Sequence, residues 1–181
     1  QLEQLAKEIE DLKDSPLYDY RTEQGYSLVI GEGDPDAEIM FIGEAPGEQE
    51  AESGRPFVGS AGGVLESLLE SIGLQRAEVY ITNIVKDRPP ENRDPTAKEV
   101  ALYAPFLSRQ VEIIQPQVIV TLGRFAMDFV LEQFDLDEQG QKIGDLHGEL
   151  LQAESSYGEI NILPMYHPAA GFYNRDLRDV M

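Results

Sequence analysis

The chain has 181 residues, 34 of them acidic and 14 basic, for a formal net charge of -20. It contains no cysteine, which excludes disulfides, thiolate metal sites and cysteine nucleophiles. No stretch approaches the roughly 18 apolar residues of a membrane span and no leader pattern is visible, so the expectation is a soluble cytoplasmic protein. With 41% hydrophobic residues, the length suits one domain over residues 1–181, in which 1–30 are an N-terminal helix and an irregular segment. The chain opens on Gln1 rather than Met, as one trimmed at its ends would. Acidity alone argues against a polyanionic partner; it fits solubility or adaptation to high salt equally well. Yet Lys86, Arg88 and Arg93 crowd into one Pro-rich stretch, and Arg175 and Arg178 follow a His-Pro pair. A locally positive rim on an acidic body is therefore the expectation.

In chain order, Leu2, Leu5, Ile9 and Leu12 have helical spacing, so residues 1–13 predict an amphipathic helix. Residues 14–37 read as irregular, with one extended piece at Ser27–Ile30. The apolar run 38–43 predicts a buried strand ending at glycine. Residues 43–62 read as a long polar, Gly-rich loop, a length more typical of functional loops than of connectors. Ser60 is placed to cap a helix carrying Val64, Leu65, Leu68, Leu69 and Ile72 on one face and ending at Gly73. Residues 78–85 predict a second strand, and 86–95 are too Pro-rich for regular structure. Thr96 and Glu99 match a capping box opening a helix to about Ile114, with a kink or break expected at Pro105. Residues 117–122 predict a third strand, 124–133 a helix, 135–158 a hairpin or irregular excursion, and 160–166 a fourth strand before a last helix. Strands alternating with helices predict a parallel α/β sheet with its site beyond the carboxyl edge.

The polar motifs sit at those strand ends. In Gly43-Glu44-Ala45-Pro46-Gly47 the glycines permit close backbone approach, and Glu44 projects into a pocket or is simply a solvated turn residue. The segment fits neither a dinucleotide fingerprint nor a Walker loop. Phe57, between Pro56 and Gly59, offers a flat face for a base or a staple pinning the loop to the core. Asn83 offers a donor and an acceptor to a pyrimidine edge, or forms a turn. His167 can donate to an oxygen that gains charge as a bond breaks, or is structural. His147, in a Gly-flanked segment, reads as structural, and two histidines so far apart give no zinc site.

Together and in order, GEAPGE…SGRPFVGSAG, YITNIVKDRPPENRDPT, QPQVIVTLGRFA and YHPAAG resemble the uracil-DNA glycosylase superfamily, nearest its iron–sulfur-cluster, thermophile-type branch (family 4). The similarity runs from about Gly31 to about Arg175. It implies a three-layer α/β/α sandwich around a four-stranded parallel sheet, and a monomer that repairs DNA by hydrolysing the N-glycosidic bond of uracil, in single or double strands. It implies Glu44 and His167 as catalytic residues, the first orienting water and the second stabilising charge on uracil O2. Gly43, Ala45, Phe57 and Asn83 would bind the base, Ala45 standing where another branch has a water-activating Asp. Arg88, Arg93, Phe172 and Arg175 would contact DNA. Gly171 occupies the usual place of a duplex-wedging Leu, which leaves Phe172 as the candidate wedge.

The family's [4Fe–4S] cluster is held by four cysteines. Here Asp87 and Tyr103 stand at two of those positions, and the remaining two belong near residues 12–19, where there is none. No cofactor or metal is therefore expected, and packing among Tyr18, Tyr20 and Tyr103 is expected to replace the cluster. Two rival readings stay open: a non-catalytic nucleic-acid-binding relative, and a glycosylase for another deaminated base.

Overall fold

A computed structural model describes residues 1–173. Six strands lie in the order β1-β3-β2-β4-β6-β5. The inner four, β2 (Ile39–Gly43), β3 (Tyr80–Asn83), β4 (Val118–Leu122) and β6 (Gly158–Met165), run parallel. The short β1 (Glu32–Gly33) and β5 (Leu151–Ser155) close the two edges antiparallel. The expected four-stranded parallel sheet is thus the centre of a mixed six-stranded one. Of the extra strands, β5 returns directly into β6 as a hairpin, while β1 pairs over only two residues with β3, its non-sequential neighbour.

Strand alternation sends side chains into two cores. Phe41, Ile81, Val120 and Leu122 pack with Leu65 and Leu69 of α4 (Ser60–Ser71). Met40, Ile42, Ile119, Ile160 and Ile162 share the opposite core with Leu5 and Ile9 of α1 (Leu2–Glu10), Tyr103, Leu107 and Val111 of α5 (Ala97–Ile114), and Ala126 and Val130 of α6 (Arg124–Gln133). Helices on both faces make the α/β/α sandwich. An ion pair between Glu8 and Arg109 ties α1 to α5.

Several local readings are corrected. Residues 14–37 contain a helix, α2 (Pro16–Gln24), with Ser15 as N-cap accepting from Leu17 N at 3.2 Å and left-handed Gly25 closing it. Another, α3 (Glu48–Ser53), interrupts the Gly-rich loop. Ser27–Ile30 forms no strand and is tied down instead by Ser27 N to Ala51 O and Val29 N to Lys86 O. The cap of α4 is Gly59, so Ser60 lies inside its first turn. The Thr96–Glu99 capping box is present, and α5 runs unbroken through Pro105 for 18 residues. Burial of Tyr103, Leu107 and Val111 against the sheet outweighs the one N–H that proline removes. Two short helices, α7 (Ile143–Leu146) and α8 (Ala170–Tyr173), complete the described elements. Among the described residues no helix is long and apolar enough to cross a membrane.

Because the four inner strands are parallel, their carboxyl ends fall on one edge. Gly43 and Asn83 are register partners there, β4 ends one residue before Gly123, and β6 ends two before His167.

Candidate active site

The site is built around a missing side chain. A Cβ on Gly43 would lie 2.6 Å from Phe57 Cζ and closer still to Asn83 Oδ1. Only glycine lets those two groups meet over the end of β2. Gly43 O and Glu44 O accept from Ile84 N (2.9 Å) and Val85 N (3.0 Å), which extends the β2–β3 register past the strands. The His167 ring stands 5.9 Å from the Phe57 ring, centroid to centroid, at 34°. Gly123, at φ +93, turns the chain under it, where a Cβ would come 3.1 Å from His167 Cβ. Gly43, Phe57, Asn83 and His167, separated by up to 124 positions of sequence, thus converge on one spot. Ala45 turns its methyl into the α5-side core. His147 Nδ1 accepts from Tyr166 N at 3.1 Å, and its ring stacks on Tyr166.

Polarity in the site is specific. Asn83 is 1% exposed, and its Oδ1 is buried with no hydrogen-bond partner. Such an atom costs about 1–3 kcal/mol unless a ligand satisfies it. His167 Nδ1 accepts from Ala169 N at 3.1 Å, so in the neutral ring the proton sits on Nε2. Burial lowers the affinity of that ring for a second proton. The result is a neutral imidazole with one free donor. Glu44, which follows Gly43 in the chain, is half-buried; burial and then the Asp94 carboxylate push it up to about 7, against the pull of Arg124.

Behind Asn83 lies a group that the sequence placed on the surface rim. Lys86 is wholly buried, and its Nζ donates to Thr82 Oγ1 (2.7 Å), Asn83 O (2.6 Å) and Gln110 Oε1 (2.5 Å). Burial pulls its pKa well down. However, Thr82 Oγ1 gives its own hydrogen to Ile30 O at 2.6 Å, so none of the three acceptors has a hydrogen to return. The cage suits the ammonium form with all three protons used. It fixes the Asn83 backbone to α5.

A family model for the uracil DNA glycosylase superfamily matches residues 30–180. The chain belongs to the uracil-DNA glycosylase superfamily. It is 44% identical to a type-4 uracil-DNA glycosylase of Sulfurisphaera tokodaii over 99% of this chain and 80% of that protein. Against the type-4 enzyme of Archaeoglobus fulgidus the identity is 43%, over 98% and 86%. Against that of Thermotoga maritima it is 40%, over 96% and 84%.

Asp87 and Tyr103, which stand where the resemblance places two of the cluster cysteines, are joined to each other. Tyr103 OH donates to Asp87 Oδ2 at 2.5 Å and lies 2.9 Å from Ser15 Oγ. Arg21 Nε stands 3.4 Å from Asp87 Oδ1, a charge pairing without the alignment of a hydrogen bond. Arg21 Nη2 also donates to Glu10 O at 2.7 Å. All four side chains are buried. Their hydroxyl, carboxylate and guanidinium groups are committed to each other, and none is the thiolate an iron–sulfur cluster requires. The residues present do not fit the cluster. The anticipated packing of Tyr18 and Tyr20 onto Tyr103 is corrected: Arg21 lies over the Tyr18 ring, and Tyr20 packs edge-on against Tyr26.

The expected basic rim is corrected as well. Lys86 is internal. Arg88 is 8% exposed, its guanidinium held by Tyr26 OH (2.5 Å), Glu48 Oε1 (3.0 Å) and Asn92 Oδ1 (2.8 Å), so it is not free to reach a phosphate. Arg93 is partly exposed but forks onto the capping carboxylate of Glu99 at 2.7 and 2.9 Å. Phe172 is 47% exposed within the last described helix. Arg175 lies outside the described residues.

Replacing Tyr103 by Phe leaves Asp87 Oδ2 and Ser15 Oγ without their shared partner. Urea denaturation is expected to show a loss of about 1–3 kcal/mol, whereas Tyr20→Phe should change stability by less than about 0.5 kcal/mol.

Proposed function

We propose that this protein is a DNA-repair enzyme that hydrolyses the N-glycosidic bond of uracil in DNA, leaving an abasic site. The observation that carries the reading is the orphaned Asn83 Oδ1, buried beside the Phe57 ring and the neutral His167. Uracil presents N3–H to such an acceptor and O4 to the amide NH2, while O2 faces a donor. The type-4 relatives carry the same activity in their names.

The chemistry follows from the groups. A base leaves the helical stack before its C1′ can be reached. Phe57 stacks on it and Asn83 reads its edge. The C1′–N1 bond breaks as the sugar gains cationic character, and the electron pair departs with uracil as its anion. His167 Nε2–H hydrogen-bonds O2 as that charge develops. Because the ring is already neutral, it stabilises charge without first losing a proton. Glu44, as carboxylate, orients a water whose oxygen bonds to C1′ and takes the proton released. One carboxylate suffices because uracil leaves without an acid on N1. Phe172 fills the opened stack as an aromatic wedge. The enzyme works as a cytoplasmic monomer in which the N-terminal helices and the sheet form one unit.

Incubation with uracil-containing single-stranded and duplex oligonucleotides, followed by alkali, is expected to give scission. Asn83→Ala and His167→Ala should each lower kcat about 10²–10³-fold with the fold intact. Binding without scission would favour a non-catalytic nucleic-acid-binding relative, and scission only at another deaminated base would favour that specificity instead.

The active form of Glu44 is its carboxylate, so activity should rise with pH through about 7 and then level off. Asp94→Asn removes a like charge and should shift that limb to lower pH; Arg124→Gln removes an opposite charge and should shift it higher. A limb that ignores both substitutions argues against Glu44 as the titrating group.

A body of charge -20 repels DNA over a Debye length of about 10 Å at 0.1 M salt. Added NaCl should therefore first raise kcat/KM and lower it only later, as phosphate contacts are lost. A monotonic fall from low salt would show that local contacts dominate the charge of the body.

A further inference from the structure

Phe57 sits at φ +49, a left-handed conformation that costs a side-chain-bearing residue roughly 1–2 kcal/mol. Such a residue persists only where its surroundings over-determine it. Four consecutive backbone groups around it are gripped from outside the loop. Upstream, Arg76 Nη2 donates to Pro56 O (2.6 Å) and Arg76 Nη1 to Phe57 O (2.9 Å). Downstream, Glu50 Oε1 accepts from Val58 N (2.9 Å) and Gly59 N (2.7 Å). A cation thus takes the two carbonyls and an anion the two amides.

The cation is itself aimed. Glu32 Oε1 accepts from Arg76 Nε at 3.0 Å and Nη2 at 2.5 Å, and Glu32 also pairs with Arg55, two residues before Phe57. Arg76 and Glu32 are mostly buried, so this pairing is shielded from solvent. The first turn of α4 presses against the same peptide: a Cβ on Gly62 would collide with Phe57 O. Neither Arg76 nor Glu32 reaches Gly43, Asn83 or His167 by any contact described above. Their hydrogen bonds are spent on one peptide geometry.

We propose that Arg76, aligned by Glu32, and Glu50 are positioning residues that clamp the Phe57 loop and so set the plane of the ring on which the base stacks. The inference rests on the uracil reading. Arg76 supplies two divergent donors from one planar group, which a lysine cannot reproduce. Without the clamp the loop relaxes toward ordinary φ, and the ring leaves its place above Gly43. Base affinity then falls while the chemistry at Glu44 and His167 is left in place.

The test uses the full chain with Arg76→Gln, Arg76→Lys, Glu50→Ala and the milder Glu32→Gln. KM and kcat on a single-stranded uracil oligonucleotide, inhibition by free uracil, melting temperature and amide exchange of residues 57–59 are measured. Arg76→Gln and Glu50→Ala are expected to raise KM and the uracil inhibition constant together by about tenfold, roughly the worth of one base stack. Their kcat should change by less than about threefold, and amides 57–59 should lose protection while Ile81 and Val120 keep it. Arg76→Lys should recover part of the loss, and Glu32→Gln should show the same pattern more weakly if Arg76→Gln does not fold. Variants that melt earlier yet keep wild-type uracil inhibition and loop exchange would overturn the clamp, since that is the signature of a purely structural role. Failure of the uracil reading shows separately: the wild-type protein would release no uracil, and the positioning role would fall with it.

Discussion

At the carboxyl end of β2 there is room on Gly43 for a hydrogen and nothing larger. That absence lets Phe57, from a loop beyond β2, and Asn83, from the end of β3, close over one point, and the His167 ring stands across from them. The parallel register of β2 and β3 brings Gly43 and Asn83 level, and Gly123 makes the matching allowance under His167. The sheet sets where the strand ends lie; two glycines set how closely the side chains approach. Any residue with a Cβ at position 43 would have to displace the Phe57 ring, the Asn83 side chain or both.

Charge is arranged around this point with a consistent sense. The body carries -20, yet the groups that would face a leaving uracil anion are neutral: an asparagine and an imidazole whose proton is fixed on Nε2. Lys86, a fully buried cation, is kept behind the Asn83 backbone with its three donors used up. It lends rigidity and a positive field without presenting a proton to the pocket. Glu44 is the exception, held where burial and Asp94 keep its proton affinity near neutrality. A carboxylate poised in this way has the basicity to take a proton from water, which one at its ordinary value largely lacks.

The sequence disclosed the parts that follow from periodicity and from residues at strand ends. Alternation and helical spacing located the four parallel strands, α1, α4, α5 and α6, and the turn chemistry of Thr96–Glu99 marked the start of α5 correctly. It did not disclose α2, because within Pro16–Gln24 only Leu17 and Arg21 are buried and no apolar stripe exists to be seen, although Ser15-Pro16 and Gly25 were its punctuation. Nor did it show where Lys86, Arg88 and Arg93 point. A basic residue in a Pro-rich loop is by default solvated, and only tertiary partners far away, Gln110 for Lys86 and Tyr26 with Glu48 for Arg88, reveal that two of them face inward. The pocket was legible as a set of residue types; its burial, its tautomer and the clamp on Phe57 depend on distances no one-dimensional pattern contains.

Residues 83–88 show how the buried network around Asp87 bears on the site. Asn83 stands beside Gly43 at the strand ends, Lys86 fastens the segment to α5, Asp87 joins Tyr103, Ser15 and Arg21, and Arg88 reaches Tyr26 and Glu48. Six consecutive residues thus connect α2, α3 and α5 to the carboxyl end of β3. A metal cluster at this junction would cross-link the same segments by strong, directional bonds. Here the cross-link is an acid, a phenol, an alcohol and a guanidinium. Each is buried at a desolvation cost that burial of Asp87 makes visible as a raised pKa, offset by the Tyr103 hydrogen bond and the Arg21 charge. Such a network holds only if every member is present, since removing one leaves another buried and unpaired. The carboxylate at 87 needs the hydroxyl at 103 and the guanidinium at 21, and Ser15 caps α2 while contacting that same hydroxyl. The anchor here is a set of hydrogen bonds and an ion pair, and what it anchors is the segment that begins at Asn83.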